Sequence, residues 1–153
     1  DRAVLDAAAA AGTPFEFRHD ALKVGRASLK PFSFDATDCP DLFPPLVALA
    51  SACPGETELK GVGRLGGKES DRAASLMAML KHLGIGSEIR GDRMHIHGAR
   101  PSGGRVEAWG DHRIAMAAAV AALAAESPVV IEGAECVAKS WPRFFEDFDS
   151  LKA

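Results

Sequence analysis

The sequence predicts an α/β (α+β) fold built from repeated βαβαββ units. Three observations carry this. Short strand-like runs alternate with helix-like stretches along the chain. The pattern recurs at an offset of 72 residues with no gap: Gly12 matches Gly84, Glu16 Glu88, Asp20 Asp92, Leu22 Met94, Val24 Ile96, Ala36 Ala108, Ala50 Ala122, Leu59 Ile131 and Gly61 Gly133. The 153 residues, 47% hydrophobic and 25% charged, suit one soluble domain with a real core.

Residues 2–11 are Ala-rich and helix-forming, and Gly12 ends that helix. Phe15-Glu16-Phe17-Arg18 alternates as a strand, His19-Asp20 turns, and Leu22-Lys23-Val24 returns. Pro31 breaks the chain before a strand containing Phe32 and Phe34. Asp38-Cys39-Pro40-Asp41 then starts a helix with Leu42, Leu46, Leu49 and Cys53 on one stripe. Pro44 and Pro45 are tolerated because they fall in its first turn. Pro54-Gly55 ends it, 57–62 is a strand, and a helix covers about 70–83. Glu88-Ile89-Arg90 and Met94-His95-Ile96 form a hairpin around Gly91-Asp92. A strand over 104–109 leads to a helix over about 112–125, apolar nearly all round and therefore expected to be buried. A short apolar strand, 128–132, precedes a last amphipathic helix opened by Pro142, with Phe144, Phe145, Phe148 and Leu151. These elements divide into the αββ tail of one unit (1–30), one whole unit (31–100), and a βαβα unit lacking its last hairpin (103–153).

The net charge of −3 argues against a surface that coats nucleic acid. Three cysteines, Cys39, Cys53 and Cys136, with no CxxC spacing suggest reduced thiols and a cytoplasmic location. The most apolar run, 114–125, is too short to span a bilayer, so no membrane partner is expected. Asp1 falls in a helix-like stretch and reads as a fragment boundary rather than a natural start.

Chemistry concentrates in Gly66-Gly67-Lys68-Glu69-Ser70-Asp71-Arg72, just before a helix with Leu76, Met77, Leu80 and Leu83. A helix N-terminus carries unpaired N–H groups and a positive dipole end, so Lys68 and Arg72 there would suit a multiply charged anion. The plainer reading is a surface salt bridge from Glu69 to Arg72 at i,i+3 with a Ser70 cap. Asp41 is by itself a helix-end carboxylate. His112 and Arg113 are two polar residues opening the most apolar helix, or an anion site built on its dipole. Asp41 and Arg113 lie 72 residues apart and so start equivalent helices, whose N-termini can converge on one ligand. Lys139 is an ordinary loop lysine, though it falls one place from the repeat equivalent of Lys68. His19, His82, His95 and His97 show no metal-site spacing; His95 and His97 share a strand face, but no third ligand is evident. There is no P-loop or nucleophile elbow.

Four stretches, in order, resemble signatures of the 5-enolpyruvylshikimate-3-phosphate (EPSP) synthase family. They are Asp38-Cys39-Pro40-Asp41-Leu42, Lys68-Glu69-Ser70-Asp71-Arg72, Gly110-Asp111-His112-Arg113-Ile114-Ala115-Met116-Ala117 and Cys136-Val137-Ala138-Lys139-Ser140-Trp141-Pro142. Family members are well over twice this length, so the chain resembles part of a C-terminal domain of a two-domain enolpyruvyl transferase. In that fold the enzyme's own N-terminus helps complete the domain. The resemblance implies transfer of the enolpyruvyl (carboxyvinyl) group of phosphoenolpyruvate (PEP) to the 5-hydroxyl of shikimate 3-phosphate, with no cofactor and no metal. It implies that Asp41 accepts the proton of that hydroxyl; a carboxylate among cations at a helix start would orient the hydroxyl and take the proton late, as charge develops. Glu69 would exchange protons with the PEP methylene carbon. Arg72, Arg113 and His112 would bind PEP, Lys68 the shikimate substrate, and Lys139 the departing phosphate and a proton. The family often carries an amide residue a few places before its lysine. Here Arg64-Leu65-Gly66-Gly67 offers none, so that shikimate contact is not carried over. The partners implied are the two substrates and the N-terminal domain of the same enzyme. Two alternatives stay open: the sister transferase acting on UDP-N-acetylglucosamine, and a non-catalytic α/β module that binds RNA or protein.

Overall fold

Glycine and proline punctuation sets where most elements stop. In the computed structural model, which describes residues 2–67 and 69–151, the helices are α1 (Ala3–Ala10), α2 (Phe43–Ser51), α3 (Arg72–His82), α4 (His112–Ala122) and α5 (Phe144–Ser150). The strands are β1 (Phe15–Arg18), β2 (Ala21–Val24), β3 (Ser33–Asp35), β4 (Gly55–Lys60), β5 (Gly86–Arg90), β6 (Arg93–Gly98), β7 (Gly104–Glu107) and β8 (Val129–Glu132). Short 3-10 helices cover Pro40–Leu42, Val62–Leu65 and Ala134–Lys139.

The strands form an antiparallel β1–β2 hairpin, a four-stranded sheet in the order β3-β4-β6-β5, and a parallel β7–β8 pair. Within the larger sheet β3 runs parallel to β4, and the other pairs are antiparallel. The 72-residue offset governs the backbone itself. Ser33 pairs with Glu58 as Arg105 pairs with Val130. The amide of Ala36 donates to Lys60 as that of Ala108 donates to Glu132, and Lys30 donates to Ala11 as Ser102 donates to Leu83. Gly61 (φ +106°) and Gly133 (φ +71°) both open a 3-10 helix in the left-handed region. At Gly61 a Cβ would lie 2.8 Å from the Thr37 nitrogen, so no other residue fits without backbone movement.

Several boundaries differ from expectation. The strand expected over 57–62 runs Gly55–Lys60, because Gly61 turns the chain and puts Val62 in a 3-10 helix. The helix expected from Asp38 opens as the 3-10 helix Pro40–Leu42 before α2. The helix expected over 70–83 begins at Arg72, since Asp71 caps it by accepting from the Ala74 amide at 3.1 Å. Sequence reasoning missed the 3-10 helix Ala134–Lys139 altogether.

The main core joins Phe43, Leu46 and Val47 of α2, Leu59, Leu76, Met79, Leu80, Met94, Ile96 and Ile114. A second cluster gathers Ala108, Ala115, Ala119, Cys136, Val137 and Phe144. Helix α4 serves both, which explains its alanines: Ala117, Ala118 and Ala121 face the first cluster, and Ala115 and Ala119 the second. Small side chains let it approach neighbours on two sides. It is not covered all round, however: Val120, and Leu123 at its C-cap, are exposed.

Helices α2 and α4 pack side by side. Their starts, at the 3-10 helix Pro40–Leu42 and at Asp111, therefore lie close together. Burial pushes the Cys53 thiol up to about 11, and raises Cys39 and Cys136 as well, so these thiols favour the uncharged form. Among the described residues no helix is long and apolar enough to cross a membrane.

Candidate active site

The site is built on one buried guanidinium. Arg72 is the first residue of α3, and its side chain is 0% exposed. Isolated burial of such a charge costs several kcal/mol, so counter-charges must surround it. Three carboxylates do. Arg72 Nε donates to Asp111 Oδ2 at 3.0 Å, Nη1 donates to Asp41 Oδ1 at 3.0 Å, and Nη2 pairs with Glu69. The i,i+3 contact to Glu69 expected from spacing is present, but the expected surface location of Arg72 is not. Ser70 does not cap α3 either. Its hydroxyl donates to Asp111 Oδ2 at 3.1 Å.

Asp111 is also 0% exposed. It caps α4 by accepting from the Arg113 amide at 3.0 Å. Burial by itself would raise this carboxyl. The hydrogen bonds from Arg72 and the Arg113 backbone, with the Arg72 charge, outweigh burial and hold it below the usual carboxylate range.

A second guanidinium stands on the other side of Asp41. Arg113 Nη2 lies 3.1 Å from Asp41 Oδ2, and Nη1 lies 3.4 Å from the Asp41 carbonyl oxygen. Asp41 is half exposed and is gripped by two arginines from the starts of two helices. Two buried nitrogens here, His112 Nδ1 and Arg113 Nε, have no hydrogen-bond partner. Unpaired buried polar atoms are costly, so they mark a place where a polar ligand contributes binding energy. Lys139, at the end of the 3-10 helix Ala134–Lys139, donates to the Gly110 carbonyl at 2.8 Å. That carbonyl belongs to the residue before Asp111.

The structure therefore joins Asp41, Glu69, Arg72 and Arg113 through direct contacts, sets His112 beside Arg113, and brings Lys139 to the neighbouring Gly110. Lys68 lies outside the described residues. Sequence reasoning missed the part Asp111 plays, which its position before two helix-opening polar residues signalled only as a cap. A shallow cleft of about 200 Å³ opens beside Arg113, lined by Asp41, Pro45, Arg113, Met116, Ala117 and Val120. Among the described residues no group of three His, Cys, Asp or Glu side chains is arranged to hold a metal ion. His95 Nδ1 instead lies 3.1 Å from Glu56.

Paired cations at helix N-termini with interposed carboxylates suit proton transfer on a polyanionic substrate. The fold that carries them is that of the enolpyruvyl transferases. An enolpyruvyl transferase from Streptomyces tendae, NikO, superposes over 98% of this chain and 35% of its own with a TM-score of 0.73 at 20% identity, which shows the fold alone. The EPSP synthase of Acinetobacter baumannii superposes over 96% of this chain and 38% of its own, with a TM-score of 0.84 and 29% identity. A 3-phosphoshikimate 1-carboxyvinyltransferase from Clostridium kluyveri is 41% identical over 99% of this chain and 36% of its own length. A model of the family described as EPSP synthase (3-phosphoshikimate 1-carboxyvinyltransferase) matches residues 2–148. The chain belongs to that family. It spans little more than a third of the length of the relatives it matches.

Proposed function

We propose that this chain is the greater part of the C-terminal domain of an enzyme that transfers the enolpyruvyl group of PEP to the 5-hydroxyl of shikimate 3-phosphate, releasing phosphate. The domain consists of a tail (1–30), a whole βαβαββ unit (31–100) and a shortened unit (103–153). The observation that carries the reading is the pair Arg72 and Arg113, one on each side of Asp41, with His112 Nδ1 and Arg113 Nε unpartnered.

The hydroxyl oxygen adds to C2 of PEP, its proton leaves, and C3 gains a proton. The tetrahedral intermediate then loses a proton from C3 while the C–O bond to phosphate breaks. Both substrates are polyanions, and fixed cations lower the cost of gathering negative charge and of releasing phosphate. Asp41 accepts the hydroxyl proton, and Glu69 gives and takes the C3 proton. Arg72, Arg113 and His112 hold the PEP anionic groups, since a guanidinium stays charged and grips a carboxylate or phosphate with two parallel hydrogen bonds. Lys68 contacts shikimate 3-phosphate, and Lys139 supports the leaving phosphate.

The geometry adds one feature to this scheme. Asp41 and Glu69 occupy the outer edge of Arg72. An arriving carboxylate or phosphate competes for those N–H groups and releases both carboxylates for proton transfer. Binding of PEP and readiness of the bases are then one event.

The remaining length of the relatives supplies the second domain and further substrate contacts, so the chain alone does not turn over. The test is phosphate release by the intact protein with PEP and either shikimate 3-phosphate or UDP-N-acetylglucosamine. Saturable release with the first acceptor and none with the second is expected; the reverse refutes the reading.

A further inference from the structure

We infer that Asp111 is a positioning residue for the PEP site, setting the orientation of Arg72 and tying it to Arg113. The inference rests on the proposed transfer reaction. Its two oxygens have separate tasks. Oδ1 accepts from the Arg113 amide and fixes the start of α4, while Oδ2 accepts from Arg72 Nε and the Ser70 hydroxyl. One carboxylate thus links the residues from which both guanidiniums spring.

Capping alone does not require this carboxylate. The position 72 residues earlier is Cys39, whose amide donates to Ala36 as the Asp111 amide donates to Ala108. Cys39 opens its helix with no side-chain cap at all. The same backbone turn is therefore built without an acid. What differs at Asp111 is the buried arginine beside it. By holding Nε from the protein side, Asp111 turns Nη1 and Nη2 outward, where they meet Asp41 and Glu69, half and 39% exposed. A guanidinium is planar, so pinning one edge fixes the direction of the other.

The test uses the intact enzyme with Asp111→Asn and Asp111→Ser. Asn keeps an oxygen for the cap but turns an NH₂ toward Arg72 Nε–H, and Ser keeps only the cap. The KM for PEP is expected to rise by about tenfold or more, the scale of one lost charge-assisted hydrogen bond. The KM for shikimate 3-phosphate should stay close to that of the unsubstituted enzyme, and both variants should fold but melt at a lower temperature, because each removes a counter-charge of the buried Arg72. An unchanged KM for PEP, an equal rise for both substrates, or loss of the folded state in both variants makes Asp111 a structural cap and overturns the inference. If the unsubstituted enzyme releases no phosphate, the proposed reaction itself fails, and this inference with it.

Discussion

Asp41 and Arg113 occupy the same place in two successive repeats and are bonded to each other, with Arg113 Nη2 3.1 Å from Asp41 Oδ2. An acid in one unit meets a base in the next because α2 and α4 pack side by side. A repeat that supplies two helix starts at one location has supplied a site. Divergence at one position then gives it opposite charges.

Arg72 should prove essential to stability as well as to binding. Arg72→Met leaves the buried Asp111 carboxylate without its counter-charge, a change worth about 3–5 kcal/mol. Urea denaturation should show that loss in the midpoint with little change in slope. A loss below about 1 kcal/mol would mean that Arg72 is in practice a surface residue.

Acid should weaken the fold through Asp111. Its folded carboxyl lies below the ordinary range, the causes being burial, which opposes, and the Arg72 and Arg113 contacts, which prevail. Stability from a lowered carboxyl is fully present above the unfolded value of about 3.9 and is lost as pH falls through the folded value. The melting temperature should therefore fall below about pH 4, and fall less in Asp111→Asn. An equal acid response in the two proteins would contradict this.

The close approach of β6 to α2 predicts a severe effect from one methyl group. A Cβ on Gly98 would lie 2.1 Å from the Cys53 carbonyl and 2.2 Å from that of Ala50. These are backbone atoms and cannot step aside. Gly98→Ala should cost about 2 kcal/mol or more in thermal or urea unfolding, as overpacking of a filled site does.

The β1–β2 hairpin predicts self-association of the isolated chain. Leu22 and Val24 are 41% and 59% exposed, while their repeat equivalents Met94 and Ile96 are at 0%, covered by β4 and α2. Among the described residues β2 pairs only with β1, so it presents an apolar, open edge. Leu22→Lys with Val24→Lys should abolish concentration-dependent association in sedimentation without lowering the melting temperature.

Much of the architecture is legible in the sequence because its signals are local. Gly12, Gly61 and Gly84 punctuate, alternation marks the hairpin 88–96, and the 72-residue offset reappears in strand register. The burial of Arg72 is not legible. Its partner Asp111 is 39 residues away, and no periodicity reports which distant carboxylate will face a given arginine. Spacing alone finds Glu69, three residues off, and so suggests a surface pair. The 3-10 helix carrying Lys139 is equally hidden, because Ala134–Lys139 lacks the length for a helical stripe.

The proposed reaction requires the two arginines to exchange Asp41 for a substrate anion. A crystal structure of the intact protein with PEP and shikimate 3-phosphate tests this most directly. The predicted result is a PEP phosphate or carboxylate oxygen within about 3.2 Å of both Arg72 and Arg113, with Asp41 turned toward the 5-hydroxyl. Substrates bound elsewhere, with both arginines still bonded to Asp41, would contradict it.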